Sequence, residues 1–329
     1  MSVNSQDKAK PSPRAKRPKR LTPHIFDKTF KRLLHLSNRA VVSFINGLFH
    51  TRYPLDSVVE HLGTETIDKD LRRRTRDILL RINNVTYHLE VQTKFDTDMM
   101  IRVFEYSFSH AVGMKTFDKD IRTILFPHAH IIYLTTKGKT PDKQTVRLRF
   151  PDGFTYDYEV KTFYPLEYSI KELEKKGMVI ILPFYVMKMR EDVAKTDGAG
   201  RKKLLARMRT LLDKVDGVVK NCREKGQIDD RDALDIIRGL DRLYTELYGG
   251  YQEFVEDENM KEKFVRYSTQ ILEQGKLEGK LEGKLEGKLE MAKNFLVLGD
   301  SPEKVAKAAD LPLRQIKALL KTLKVGQPA

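Results

Sequence analysis

The sequence predicts an α/β protein of the α+β kind: a mixed central sheet, then a helical region, then a small helical C-terminal tail. Three observations carry that prediction. Short alternating segments recur between residues 57 and 163, one stretch of helical period interrupts them, and from 201 to 272 the period is helical throughout. Composition bounds the rest. The 329 residues include 61 Lys or Arg against 46 Asp or Glu, a net charge of +15. Hydrophobic residues make up 40%, below the globular norm of roughly 45–50%, and charged residues 33%, above roughly 25%, so a sizeable core is wrapped in polar helical or linker segments. The single cysteine, Cys222, excludes an intrachain disulfide framework and Cys-rich zinc sites and points to a reducing compartment. The longest apolar run, 178–187, contains Pro183 and falls short of the roughly 20 residues a bilayer-spanning helix needs. The N-terminus shows no apolar signal core, so a cytoplasmic protein is expected.

Residues 1–22 read as a basic disordered arm. The first twenty hold seven basic residues and one acid, with Pro11, Pro13 and Pro18, an arm that either solubilises the chain or touches phosphates. Residues 23–190 form the α/β domain. Thr22 and Pro23 are an N-cap and first-turn pair, and Phe26, Phe30, Leu33, Leu34 and Val41 continue at helical spacing, so a helix or helix pair reaches about Phe49. Strands are expected near 57–66, 74–82, 85–94, 121–136, 145–150 and 155–163, with one helix over roughly 98–117. The turn Pro151-Asp152-Gly153 makes 145–160 a hairpin. Residues 191–273 form a helical region broken at Gly226 and Gly249-Gly250. Four Gly-Lys-Leu-Glu repeats then mark 274–290 as a spacer. The repeat stacks Lys on Lys and Glu on Glu at i,i+4, and each Gly costs about 1 kcal/mol against Ala, so alone it is a poor helix.

The residues that could carry chemistry lie on the second and third expected strands. If Asn83-Asn84 is a two-residue turn, Ile82 pairs with Val85, and Asp77 falls opposite Glu90. Two carboxylates on one face, Cβ atoms roughly 4.5–5.5 Å apart, repel unless a cation lies between them, and a divalent metal fits. Alternation then buries Val85, Tyr87, Leu89 and Val91 and aims His88, Glu90, Gln92 and Lys94 at a common polar surface. The plain alternative is an exposed strand face whose carboxylates pair with neighbouring Arg.

Asp77 followed after twelve residues by Glu90-Val91-Gln92 resembles the PD-(D/E)XK nuclease signature, with Gln92 where Lys is usual. The segments 26–34, 44–48 and 90–93, with Arg102 and Tyr106 on the following helix, resemble the Rpn family of recombination-promoting, transposase-like nucleases; the Gly-Lys-Leu-Glu repeat and helical tail are similar to that family's C-terminal layout. The resemblance implies a restriction-endonuclease-like core and a metal-dependent DNA endonuclease. Asp77, Glu90 and a main-chain carbonyl near Val91 would hold Mg²⁺ or Mn²⁺, and Gln92 would orient water. Lys94 either supplies positive charge or is a solvated strand-end lysine. Asp27 either adds a third carboxylate through water or pairs with Lys31 at i+4. Arg102 would contact phosphate with Tyr106 bracing it, the alternative being a surface Arg and a core Tyr. A noncatalytic DNA-binding accessory of recombination or transposition, or a tail-regulated defence nuclease, are the other functions this resemblance allows.

Basic residues supply the remaining DNA candidates. Arg72, Arg73, Arg74 and Arg76 run straight into Asp77, placed either to fasten a duplex backbone or to keep an edge strand soluble. His128 and His130 share a strand face, a weak metal signal without further ligands. In the tail, 291–329, Ser301-Pro302-Glu303 opens a short helix, and Leu313, Ile316, Leu320 and Leu323 form a stripe beside Arg314, Lys317, Lys321 and Lys324. Two short helices joined through Asp310-Leu311-Pro312 resemble a helix-turn-helix, which binds DNA, or else a helical hairpin for self-association. The expected partner is DNA and not a membrane, in a nucleoid-associated cytoplasmic setting.

Overall fold

Alternation and helical period sort the chain, in the computed structural model, into the following order. The structure describes residues 25–62, 66–67, 73–74, 78–138 and 140–325, which fall into two compact units, Met1–Ser268 and Thr269–Ala329. The first unit opens with α1 (Ile25–Leu33) and α2 (Asn38–Phe49), the helix pair read from sequence. Then come β1 (Val59–Leu62), β2 (Thr66–Ile67), β3 (Arg73–Arg74), β4 (Ile78–Ile82), β5 (Val85–Gln92), α3 (Met99–Gly113), β6 (Thr116–Asp118), β7 (Ile121–Thr123), β8 (His128–Tyr133), β9 (Lys143–Arg149) and β10 (Thr155–Phe163).

Six strands form one mixed sheet in the order β1-β4-β5-β8-β10-β9. β1, β4 and β5 make an antiparallel meander, β8 is parallel to β5, and β10 is parallel to β8 and antiparallel to β9. The centre is set by Asn83 and Asn84, whose φ angles of 47° and 65° are both positive, as a type I′ hairpin turn requires. The register runs from Ile82↔Val85 to Ile78↔Leu89, the pairing expected from that turn. The β9–β10 hairpin turns at Gly153, φ 87°, also as expected.

One sheet face carries Leu80, Ile82, Tyr87 and Leu89, all buried, with the Phe49 ring of α2 edge-on to Tyr87 at 4.6 Å. The other is covered by α3, whose Met99, Met100 and Val103 pack with Ile131, Tyr133, Val160 and Tyr164. The strand expected over 121–136 is two elements. β7 pairs back onto β6, and β8 begins only after Pro127, a residue without an N–H for a ladder. Of the strand expected over 74–82, residues 75–77 lie outside the described residues, Ile78–Ile82 joins the large sheet, and Arg73 and Arg74 pair with β2 in a two-stranded sheet.

Behind the sheet lie α4 (Ile170–Lys175), a 3-10 helix (Val179–Met189), α5 (Arg190–Lys195), α6 (Gly198–Glu224), α7 (Asp230–Tyr248), α8 (Gln252–Val255) and the start of α9 (Glu258–Val297). The apolar run 178–187 becomes the 3-10 helix, buried apart from Lys188 and packed against α2, α4, α6 and α7. Ser37 joins this region to the front of the chain. Its N–H donates to Asp232 Oδ1 at 2.7 Å and its hydroxyl to Oδ2 at 2.5 Å, and Asp232 also closes the capping box of α7. Residues 191–268 therefore share a compact unit with the sheet.

The second unit contains the rest of α9, α10 (Pro302–Ala309) and α11 (Leu313–Val325). Ser301 caps α10 by accepting from Lys304 N–H, and Asp310, in the left-handed conformation at φ 51°, ends it. Ala292, Leu296, Val305, Ala309, Leu311 and Ile316 form its core. Ile316 is buried whereas Leu313 is exposed, so the inward stripe of α11 runs from Ile316 to Leu319 and Leu320, with Leu311 of the preceding turn beside it. The Gly-Lys-Leu-Glu repeat is not a break: α9 runs through it. Nucleation is the costly step of helix formation, and residues flanking the repeat on both sides, Phe264 and Tyr267 before it and Ala292 and Leu296 after it, are buried and anchor the helix.

Candidate functional site

β5 is a central strand of the sheet with no exposed residue, and its last residues carry the candidate chemistry. Glu90 lies beside Ile131, and Gln92 beside Tyr133, in the parallel ladder with β8. Both neighbours are fully buried and Glu90 itself is only 9% exposed. Gln92 Nε2 donates to Glu90 Oε1 at 2.7 Å, which fixes the carboxylate's orientation and leaves the amide oxygen of Gln92 as an acceptor. The polar surface expected on this face is thus covered. α3 lies over it, His88 is 1% exposed, and its Nδ1 meets Ser107 Oγ of α3 at 2.9 Å. Ser107 was not singled out in the sequence; its place on α3 gave no periodic signal distinguishing it from a solvent-facing serine.

The main chain adds an acceptor. Gln92 C=O accepts from Leu134 N–H at 2.7 Å, toward β8. Successive carbonyls of a strand alternate in direction, so the Val91 carbonyl points toward the β4 side, where the described ladder ends at Ile78↔Leu89. One buried carboxylate and one main-chain carbonyl are all-oxygen donors of the kind Mg²⁺ or Mn²⁺ takes, and they fit such an ion in type. They are not a complete set. Among the described residues no group of three His, Cys, Asp or Glu could hold a metal, and Asp77 lies outside the described residues, as do Arg72 and Arg76.

β5 ends at Gln92, two residues earlier than expected, because the chain bends at Thr93 toward α3; Lys94 is exposed beyond the strand and does not continue its alternation. In that connection Asp96 holds the Arg102 guanidinium at 2.9 Å and accepts from Asp98 N–H at 3.0 Å. Asp96, which sequence reasoning missed, therefore positions Arg102; an acid just before a helix is the signal that could have found it. Tyr106 is half-buried one turn further along. Asp27 pairs with Lys31 at 3.0 Å, the helical ion pair weighed against a role at the metal.

On the opposite sheet face, Tyr87 OH and Tyr53 OH are 2.6 Å apart, and the Phe49 ring meets His130 edge-on at 4.4 Å. Burial first, then Lys161 and His50, push the His130 imidazole down from 6.5 to about 4. His128 and His130 share that face, with Tyr87 near His128 and no third ligand among the described residues. In the second unit Arg314 is exposed, Lys317 reaches Glu303 at 3.5 Å, and the side chain of Lys321 lies outside what is described. No helix of the described residues is long and apolar enough to cross a membrane.

No family model, curated protein or solved structure matches this chain.

Proposed function

We propose that the chain is a Mg²⁺- or Mn²⁺-dependent endonuclease hydrolysing DNA phosphodiesters on a restriction-endonuclease-like core, in the manner of the Rpn nucleases its motifs resemble. The observation that carries this reading is Glu90. Its carboxylate is buried at the end of a central strand and is oriented by the side chain two residues on, an expensive arrangement for a residue with no purpose beyond the fold. The mixed sheet, with a meander ending in β5 and a parallel β8 beyond α3, supports it.

Asp77, Glu90 and the Val91 carbonyl would hold the divalent ion, which would supply Lewis acidity there. Glu90 donates oxygen ligation, Gln92 holds Glu90 in place with its amide N–H and accepts from water with its amide oxygen, and Arg102, aligned by Asp96, offers positive charge to phosphate. Purified protein incubated with supercoiled plasmid and Mg²⁺ or Mn²⁺ tests this. Nicking that is lost in Asp77→Ala and Glu90→Ala is expected; nicking by both variants at the parent rate overturns the reading.

The noncatalytic DNA-binding alternative draws on one observation, the capped α10–α11 pair with exposed Arg314 in the second unit. It predicts plasmid binding without cleavage. In either case Arg314→Ala should reduce the salt dependence of DNA binding by a log–log slope of about 0.9 if Arg314 meets one phosphate.

A further inference from the structure

The cations of α6 fall into three sets, of which Lys202 and Lys203 are exposed and line no part of the cavity described next. Arg201, Arg209, Lys220 and Arg223 pair with Glu253, Asp257, Asp216 and Asp230. Arg207 and Lys214, one face apart from them, pair with no acid among the described residues, and both line an open cavity of about 770 Å³ bounded by α4 and the 3-10 helix Val179–Met189. From those two elements Lys171 and Lys188 line the same cavity, also exposed and also without an acidic partner among the described residues. The acid in the lining, Glu174, is already engaged by Asn221 and lies 3.8 Å from Lys225 Nζ. Four cations of like sign around one concavity repel one another, a cost that an anion between them removes.

The floor is of a different character. Tyr185, 2% exposed, anchors its hydroxyl on the carbonyls of Tyr168 and Pro165, Lys188 Nζ lies 5.3 Å from its ring centroid, and Leu211 extends the apolar surface. Gly217 completes it. Gly217 is exposed, and a Cβ built there meets nothing within 4 Å, so a larger side chain at this position would extend into the open space of the cavity. An apolar floor under a rim of cations, at a volume within the roughly 300–1,000 Å³ of small-molecule sites, matches a ligand with a planar apolar body and several phosphates.

We propose that the cavity between α4, the 3-10 helix and α6 binds a nucleoside polyphosphate, its phosphates on Lys171, Lys188, Arg207 and Lys214 and its base on the apolar floor beside Gly217. The site shares no residue with Glu90 and Gln92 and stands whether or not the nuclease reading does. Titration calorimetry of the full chain without divalent metal tests it, using ATP, tripolyphosphate and adenosine as probes. Saturable ATP binding is expected, with tripolyphosphate weaker and adenosine weaker still. Arg207→Glu with Lys214→Glu, both at exposed positions, should weaken ATP by roughly tenfold or more, the loss of one or two charge-assisted contacts, without lowering the melting temperature. Gly217→Leu should fill the floor, so that ATP affinity falls while the melting temperature holds or rises. Absence of saturable ATP binding, ATP affinity unchanged in both variants, or equal affinity for ATP and tripolyphosphate overturns the proposal. Binding of a DNA oligonucleotide, but not ATP, that the charge reversals abolish would make the cavity part of a nucleic-acid track and overturn it too.

Discussion

The β4–β5 and β9–β10 hairpins are alike in sequence and opposite in circumstance. Each has alternating residues on both sides of a tight turn whose geometry is met by Asn83-Asn84 in one and Gly153 in the other. In the edge hairpin the polar alternates point to water: Arg147 clasps Asp157 with two hydrogen bonds of 2.7 and 2.8 Å, Lys143 meets Glu159, and all four are exposed. In the central hairpin the same alternation puts His88 and Glu90 under α3. Exposed polar pairs cost the fold little and contribute little. Buried ones must be satisfied, and here they are, by Ser107 and Gln92. The difference teaches that a polar strand face becomes informative about function only when another element covers it.

The largest test of this contrast is catalytic. Glu90→Gln keeps size and hydrogen bonding but removes the ligating charge, and should lower metal-dependent plasmid cleavage by roughly a thousandfold, the several kcal/mol that metal-assisted charge stabilisation supplies. Arg147→Ala on the edge hairpin should leave the rate within measurement error. Next comes Gln92→Ala, which removes the group that orients Glu90; a loss of about ten- to a hundredfold in metal affinity or turnover is expected from titrations at varied Mn²⁺. A full-rate Gln92→Ala would show that the 2.7 Å contact does not organise the site.

Smaller effects belong to stability. Ser107→Ala leaves His88 Nδ1 without its partner inside the core and should cost about 1–3 kcal/mol in denaturant unfolding, whereas Lys143→Ala at the exposed edge should barely move the curve. A further effect on stability is acid-dependent. Because the folded protein holds the His130 pKa near 4 against 6.5 in the unfolded chain, the unfolded state takes up a proton here between those values and the folded state does not. The stability linked to this group is full above about pH 6.5 and falls as the pH drops toward 4. His130→Leu should flatten that part of the melting-temperature profile; an unchanged slope would assign the acid sensitivity to other groups.

How much of this was legible follows from what each signal encodes. The β4–β5 register was legible because a two-residue Asn-Asn turn fixes pairing locally, and Ile82↔Val85 through Ile78↔Leu89 follow from it. The fate of His88 and Glu90 was not, since alternation separates two faces without saying which neighbour covers them. Lys94 was placed on the strand because its spacing continues that of Gln92, but the ladder stops where the chain bends toward α3. The division of 121–136 hinged on Pro127, a local breaker whose effect the flanking β-formers masked. Propensity describes the repeat as an isolated segment, a poor helix alone, and does not show that α9 is anchored on either side of it. Asp232, bridging α7 to Ser37 across 195 positions, has no local signature at all.

The central claim is that Glu90 is buried for the sake of a divalent ion, and thermal unfolding of the parent and of Glu90→Gln, each with and without saturating Mn²⁺, tests it most directly. Ligand binding to the native state raises the melting temperature by mass action. The account predicts that Mn²⁺ stabilises the parent, that it leaves Glu90→Gln unmoved, and that the metal-free variant melts no lower than the metal-free parent. Equal Mn²⁺ shifts in the two proteins, or a metal-free variant that melts well below the parent, would show that the carboxylate serves the fold and would contradict the claim.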